Sequence, residues 1–182
     1  MDKLNKVTAD FSKSADYPLV KTKFDVYNCT YVSFEHWVRD MHLTQELHID
    51  GLRYDPGWGW GERGVFNAPY EFGGEQIGGS PERPEVQLSV MDEAARELQK
   101  NDLKTMYVCA YTPKMLQDER QSWQGKPKDL EAFGNVCEAY ARHWKSSRRA
   151  HYYEIWNEPD LKDVFFIDEL EDYLEIYKFA AP

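Results

Sequence analysis

The sequence predicts an α/β protein assembled from parallel βαβ units. Runs rich in β-branched and aromatic residues alternate with helical periodicities through four cycles. Two of these runs stop abruptly, at Tyr111-Thr112-Pro113 and at Asn157-Glu158-Pro159. Proline offers no N–H to a ladder and biases the residue before it away from helical angles, so pairing ends there and Glu158 is left at a strand terminus. A third run opens into a long glycine- and aromatic-rich stretch, residues 55–83. Parallel α/β folds keep their chemistry at such strand ends.

Residues 1–23 are polar and mixed in charge and read as an N-terminal arm without a catalytic role; residues 24–182 read as one domain. Residues 24–31 (FDVYNCTY) form the expected first strand, Ser33 offers an N-cap, and Phe34, Trp37, Val38 and Met41 recur at helical spacing, with Leu47 extending the apolar face. The second strand covers residues 49–54. Arg53 and Asp55 lie two apart at its end and so point to one face. Buried charges normally occur paired, so an ion pair filling the interior is one reading of them and a functional role is the other.

Residues 55–83 hold most of the chain's 11 glycines and show neither helical nor strand period. Loops longer than about 12 to 15 residues in a compact domain tend to be functional or disordered. Trp58 and Trp60, interleaved with glycine, are poor core material and are the candidates for a platform on which sugar rings stack. Gly57, Gly59 and Gly61 alternate as in nucleotide-binding loops, but no Lys-Ser/Thr follows and no helix opens there, which excludes a phosphate loop.

A second helix is expected over residues 86–101, closed by Asn101, and a third strand over 103–110, after which Tyr111 either reaches the site or caps the sheet. Leu130, Phe133, Cys137, Tyr140 and Trp144 then mark a strongly amphipathic helix. The fourth strand lies within residues 151–160. The acidic segment 167–177 carries Leu170, Tyr173, Leu174 and Tyr177 at helical spacing, and its charges read as a solvated face.

A net charge of −10 disfavours nucleic acid and anionic membranes as partners. Three widely spaced cysteines fit neither a disulfide framework nor a zinc site, and the five histidines show no ligand spacing, so no metal and no cofactor is expected. The polar start, without an apolar signal-like stretch or anything near the ~20 apolar residues of a membrane span, favours a cytoplasmic protein.

The motif Glu154-Ile155-Trp156-Asn157-Glu158-Pro159-Asp160 resembles the fourth strand of retaining glycoside hydrolases built on a (β/α)8 barrel, above all glycoside hydrolase family 39, the family of β-xylosidases and α-L-iduronidases. The resemblance implies Glu158 as acid/base and Asn157 as the residue holding the sugar 2-hydroxyl. Leu52-Arg53-Tyr54-Asp55 resembles the family's second strand, which implies that Arg53 positions the nucleophile. The family has a His two residues after this Arg where Asp55 stands here, so Asp55 becomes a candidate sugar contact and the sugar identity stays open. Trp123-Gln124-Gly125-Lys126-Pro127-Lys128-Asp129-Leu130 before a long helix is also similar to family 39, which extends the resemblance over roughly residues 24–179.

A (β/α)8 barrel usually takes about 250 residues, so a chain of 182 is expected to hold only the first four βα units, the N-terminal half of the catalytic barrel. The family's nucleophile comes from the seventh strand, and the chain alone is expected to be inactive. Retaining hydrolysis needs two carboxyl groups about 5 to 5.5 Å apart. Glu154, four strand residues before Glu158 and so roughly 13 Å away, cannot be the second and is expected to meet Arg53 instead. Burial of Glu158 among Trp156 and Tyr153 is expected. The alternatives are another glycanase of the same clan, a non-catalytic carbohydrate-binding domain, and an assembly module that self-associates through open sheet edges.

Overall fold

The computed structural model describes residues 27–28, 34–47, 49–54, 77–86, 89–147 and 151–181. β1 (Tyr27–Asn28), α1 (Phe34–Glu46) and β2 (Gly51–Tyr54) come first, then a hairpin of β3 (Ile77–Ser80) and β4 (Arg83–Val86). α2 (Ser89–Lys100) leads to β5 (Lys104–Cys109), α3 (Leu130–Ser147) to β6 (Tyr152–Ile155), and α4 (Leu170–Ala180) follows. β1, β2, β5 and β6 form one sheet in that order, every pair parallel. The order follows the chain, with a helix in each crossover and, among the described strands, no reversal of the kind that gives a doubly wound sheet its switch point. This is the α/β architecture expected.

Aligned residues of parallel strands point to the same side. The registers Arg53↔Met106 and Val108↔Glu154 therefore place Arg53, Met106, Val108 and Glu154 on one face, while Leu52↔Thr105 and Cys109↔Ile155 define the other. The second face carries the core. Tyr107 stacks on Trp144 with centroids 4.7 Å apart and meets Tyr140 edge-on at 6.0 Å. Phe133, Val136, Cys137, Tyr140 and Trp144 are all buried, so the 3- and 4-residue spacing of α3 becomes one continuous stripe against the sheet, with Leu130 half-buried at its start. Each large side chain buried this way contributes about 1.5–3 kcal/mol.

Local chemistry fixes the helix ends. Asp129 caps α3 by accepting the Ala132 N–H at 2.9 Å. α2 ends in a Schellman motif: Leu103 N–H reaches Leu98 O at 3.0 Å, Asp102 N–H reaches Gln99 O at 3.2 Å, and Asp102 takes the left-handed position with φ 55°. The side chain of Asn101 adds a bond to Glu97 O at 2.9 Å, closing the helix where the sequence places its end. Gly134 lets α4 approach α3, since a Cβ there would lie 2.7 Å from the Phe179 carbonyl oxygen.

Four expectations are corrected. Residues 77–86 are a hairpin, where the expected loop ran to residue 83 and the expected helix began at 86, and α2 starts only at Ser89: the Ser80↔Arg83 pairing leaves Pro81-Glu82 as a two-residue turn, Arg83 N–H bonds Ser80 Oγ at 3.2 Å, and Gly79 has φ 79°. Leu47 follows α1 and is exposed, leaving Met41 as the buried member of that stripe among the residues whose side chains are described. β6 stops at Ile155 because Trp156 turns into the left-handed region, φ 69°, before the proline is reached. On α4 Ile176 is buried and Tyr173 packs partly buried against the core, while Leu170, Leu174 and Tyr177 are exposed.

Candidate active site

Of the candidate residues, Arg53 and Asn157 meet where β2 and β6 end, together with Glu154. Arg53 reaches across β5 and donates from Nε to Glu154 Oε2 at 2.6 Å and from one terminal nitrogen to Glu154 Oε1 at 2.8 Å, a bidentate pair. That same nitrogen donates to Asn157 Oδ1 at 2.7 Å. The contact expected between Arg53 and Glu154 is present, and it commits Glu154 as an acceptor. Asn157 is buried and has its orientation set by Arg53, since only the amide oxygen can accept from a guanidinium.

The turn after β6 is shaped from below. Trp156 is fully buried, donates its indole N–H to Phe165 O at 3.0 Å and continues the ladder through its own N–H to Cys109 O at 3.1 Å. Tyr111, Phe133 and Phe166 surround it, with Tyr111 edge-on at 5.6 Å. Glu158 then takes φ 45° and projects into solvent. Left-handed angles at two non-glycine residues within three positions persist only where surrounding structure fixes them, and such positions cluster at functional sites.

The burial of Glu158 among Trp156 and Tyr153 is not found: Glu158 is exposed, Trp156 lies beneath the turn, and Tyr153 lines a cavity elsewhere. That cavity, about 530 Å³, is bounded by Cys109, Cys137, Tyr153, Ile155, Tyr177 and Phe179, on the helix-covered face opposite Arg53 and Glu154. Tyr111 is 1% exposed and packs against Trp123, Trp156 and Phe165, which favours capping over sugar contact. Asp55, Trp58 and Trp60 lie outside the described residues, as does the 1–23 arm. No group of three or more His, Cys, Asp or Glu among the described residues is arranged to hold a metal ion. No described helix is long and apolar enough to cross a membrane.

Sequence reasoning missed Asp168. Its carboxylate accepts from Arg120 Nη1 at 2.7 Å, Arg120 Nη2 at 3.2 Å and the Lys126 N–H at 2.6 Å, and the Arg120 guanidinium holds it below the usual aspartate range. Lys126 Nζ binds Asp172 at 2.9 Å and Glu175 at 2.5 Å, which raise its pKa, and Lys162 binds Glu169 at 2.6 Å. Much of the acidic segment taken as a solvated face is thus paired. The W-x-G-K-P motif could have directed attention there, since Lys126 lies within it.

Comparison with known proteins joins these observations. The family Glycosyl hydrolases family 39 matches residues 82–182, more than half of the chain. A β-xylosidase of Caldicellulosiruptor saccharolyticus is 42% identical over 60 residues, covering 30% of this chain and 12% of that protein. The GH39 enzyme of Xanthomonas axonopodis pv. citri superposes with a TM-score of 0.60 at 19% identity over 86% of this chain and 31% of its own. A family 39 glycoside hydrolase of Bacteroides cellulosilyticus WH2 gives 0.53 at 17% identity over 86% and 29%. The chain spans less than a third of the length of each of these proteins. With the parallel sheet and the strand end at Trp156-Asn157-Glu158-Pro159 in place, the chain belongs to glycosyl hydrolases family 39.

Proposed function

We propose that this chain carries the acid/base half of the active site of a retaining glycosidase of the β-xylosidase type, and that its four parallel strands are the first half of a (β/α)8 barrel. The observation that carries the reading is the Arg53–Glu154–Asn157 network beside a solvent-facing Glu158 at the C-terminal end of β6. Glu158 protonates the departing glycosidic oxygen while a carboxylate from outside these residues attacks the anomeric carbon; Glu158 then takes a proton from the water that cleaves the glycosyl-enzyme ester. Asn157, fixed by Arg53, donates from its amide nitrogen to the sugar 2-hydroxyl. Arg53 positions the nucleophile, and Asp55, Trp58 and Trp60 line the sugar subsite.

The relative with β-xylosidase as its name makes xylosides the first substrates to try. Proton NMR of the intact enzyme acting on an aryl β-xyloside should show β-xylose as the first-formed anomer, and α-xylose appearing first would overturn the retaining assignment. A second reading has its own observation. Among the described strands β6 is paired along one edge only, and Tyr153, Leu170, Leu174, Tyr177 and Phe179 are exposed on β6 and α4, apolar surface that favours association with further chain.

A further inference from the structure

The turn that presents Glu158 contains three non-glycine residues in the left-handed region, Trp156, Glu158 and Asp163, and belongs to an irregular segment of 14 residues, 156–169, between β6 and α4. Such angles are unfavourable singly, and three in one segment need external restraint. The restraint is visible as a chain of hydrogen bonds. The Trp156 indole N–H is held by Phe165 O at 3.0 Å. The stretch around Phe165 is fastened to the loop after β5: Gln124 Nε2 donates to Val164 O at 2.6 Å and Ile167 N–H donates to Gln124 O at 3.2 Å. The last fastening is Asp168, which takes two bonds from Arg120 and one from the Lys126 backbone.

This arrangement differs from an ordinary surface ion pair. Exposed pairs contribute little and tie nothing else down. Here the Asp168 side chain is 18% exposed and accepts from the side chain of one loop residue and the main chain of another. Arg120 is in turn aligned by Asp118, which accepts its Nε–H at 2.6 Å and its backbone N–H at 2.9 Å. Gly125 sits beneath the guanidinium, where a Cβ would lie 3.0 Å from Arg120 Nη2.

We propose that Asp168, through Arg120 and Lys126, is a positioning residue that latches the loops after β5 and β6 together and so holds the Trp156–Phe165 bond and the orientation of Glu158. The inference rests on the acid/base reading of Glu158 for its catalytic meaning, while the latch itself is a structural statement tested without activity. Removing the charge takes away one of the fastenings that hold residues 164–168 to the neighbouring loop, and the bond that loosens with it is the one from the Trp156 indole N–H to Phe165 O, two residues from Glu158.

Hydrogen exchange followed by NMR on the full 182-residue chain tests it, comparing the Trp156 indole N–H with the β5 amides of Tyr107 and Val108. Asp168→Asn should speed indole exchange at least tenfold and move the indole resonance, with the β5 amides unchanged within about twofold and both effects largely reversed in Asp168→Glu. An unchanged indole, or an indole and β5 rising together, would overturn the latch. Should Asp168→Asn fail to fold, Arg120→Lys, which keeps the charge and removes the fork, must still raise indole exchange several-fold without the β5 amides, or the latch falls. The reading of Glu158 fails separately, by Glu158→Gln leaving glycoside hydrolysis of the intact enzyme intact while the indole result stands.

Discussion

Arg53 and Asp168 show how single residues shape this site. Arg53 uses the guanidinium fork to satisfy Glu154 and orient Asn157 together, a task that a lysine point charge cannot perform. Asp168 has its pKa lowered, first by its hydrogen bond to Arg120 and, more weakly, by the Lys126 N–H. A carboxylate with a depressed folded-state pKa contributes stability above its unfolded value of about 3.9, and that contribution is lost as pH falls through the folded value. The chain should therefore lose an increment of stability below about pH 4 that Asp168→Asn lacks, measured as the difference in urea midpoint between the two from pH 5 to pH 2.5. Parallel curves would contradict the assignment. Arg53, Asn157 and Glu158 were singled out in the sequence because Leu52-Arg53-Tyr54-Asp55 and Trp156-Asn157-Glu158-Pro159 resemble family 39, while Pro159 marked the end of the strand only to within a few residues. Arg120 and Asp168 were not, being 48 positions apart with no period linking them, so that the sequence shows their charge and not their partner.

At the scale of elements, the helices were legible wherever a period of 3.6 was backed by aromatic residues, and α3 is the clearest case. The hairpin at residues 77–86 escaped because its glycines and Pro81 suppress the alternation that marks a strand, leaving pairing to be decided by the backbone alone. Gly134 makes a further point about α3. Alanine there would add helix propensity worth about 1 kcal/mol, but its Cβ would lie 2.7 Å from the backbone oxygen of Phe179, an atom that cannot rotate away. Overpacking costs about 1–3 kcal/mol, so Gly134→Ala should lower stability in urea unfolding and loosen α4. A gain of about 1 kcal/mol would mean that the α3–α4 contact yields more easily than the geometry implies.

For the whole molecule, the sheet has one helix-covered face that holds the aromatic core and one that carries Arg53 and Glu154, and β6 has β5 as its sheet neighbour among the described strands. The exposed apolar residues beside β6 and on α4 predict that the 182-residue chain self-associates, read by size-exclusion chromatography with light scattering; a monodisperse monomer at tens of micromolar would contradict this. The α/β class was legible from alternation alone, whereas the expectation of a barrel over a doubly wound sheet rested on the long loops after the strands and on the Trp156-Asn157-Glu158-Pro159 motif. In the proposed reading the activity is that of the intact enzyme, and one kinetic comparison there tests the central claim that Glu158 is the acid/base. Glu158→Gln should reduce hydrolysis of unactivated xylosides by about 10²–10⁴-fold while affecting far less the glycosylation step with a leaving group that needs no proton. Equal losses on both kinds of substrate, or no loss on either, would contradict it.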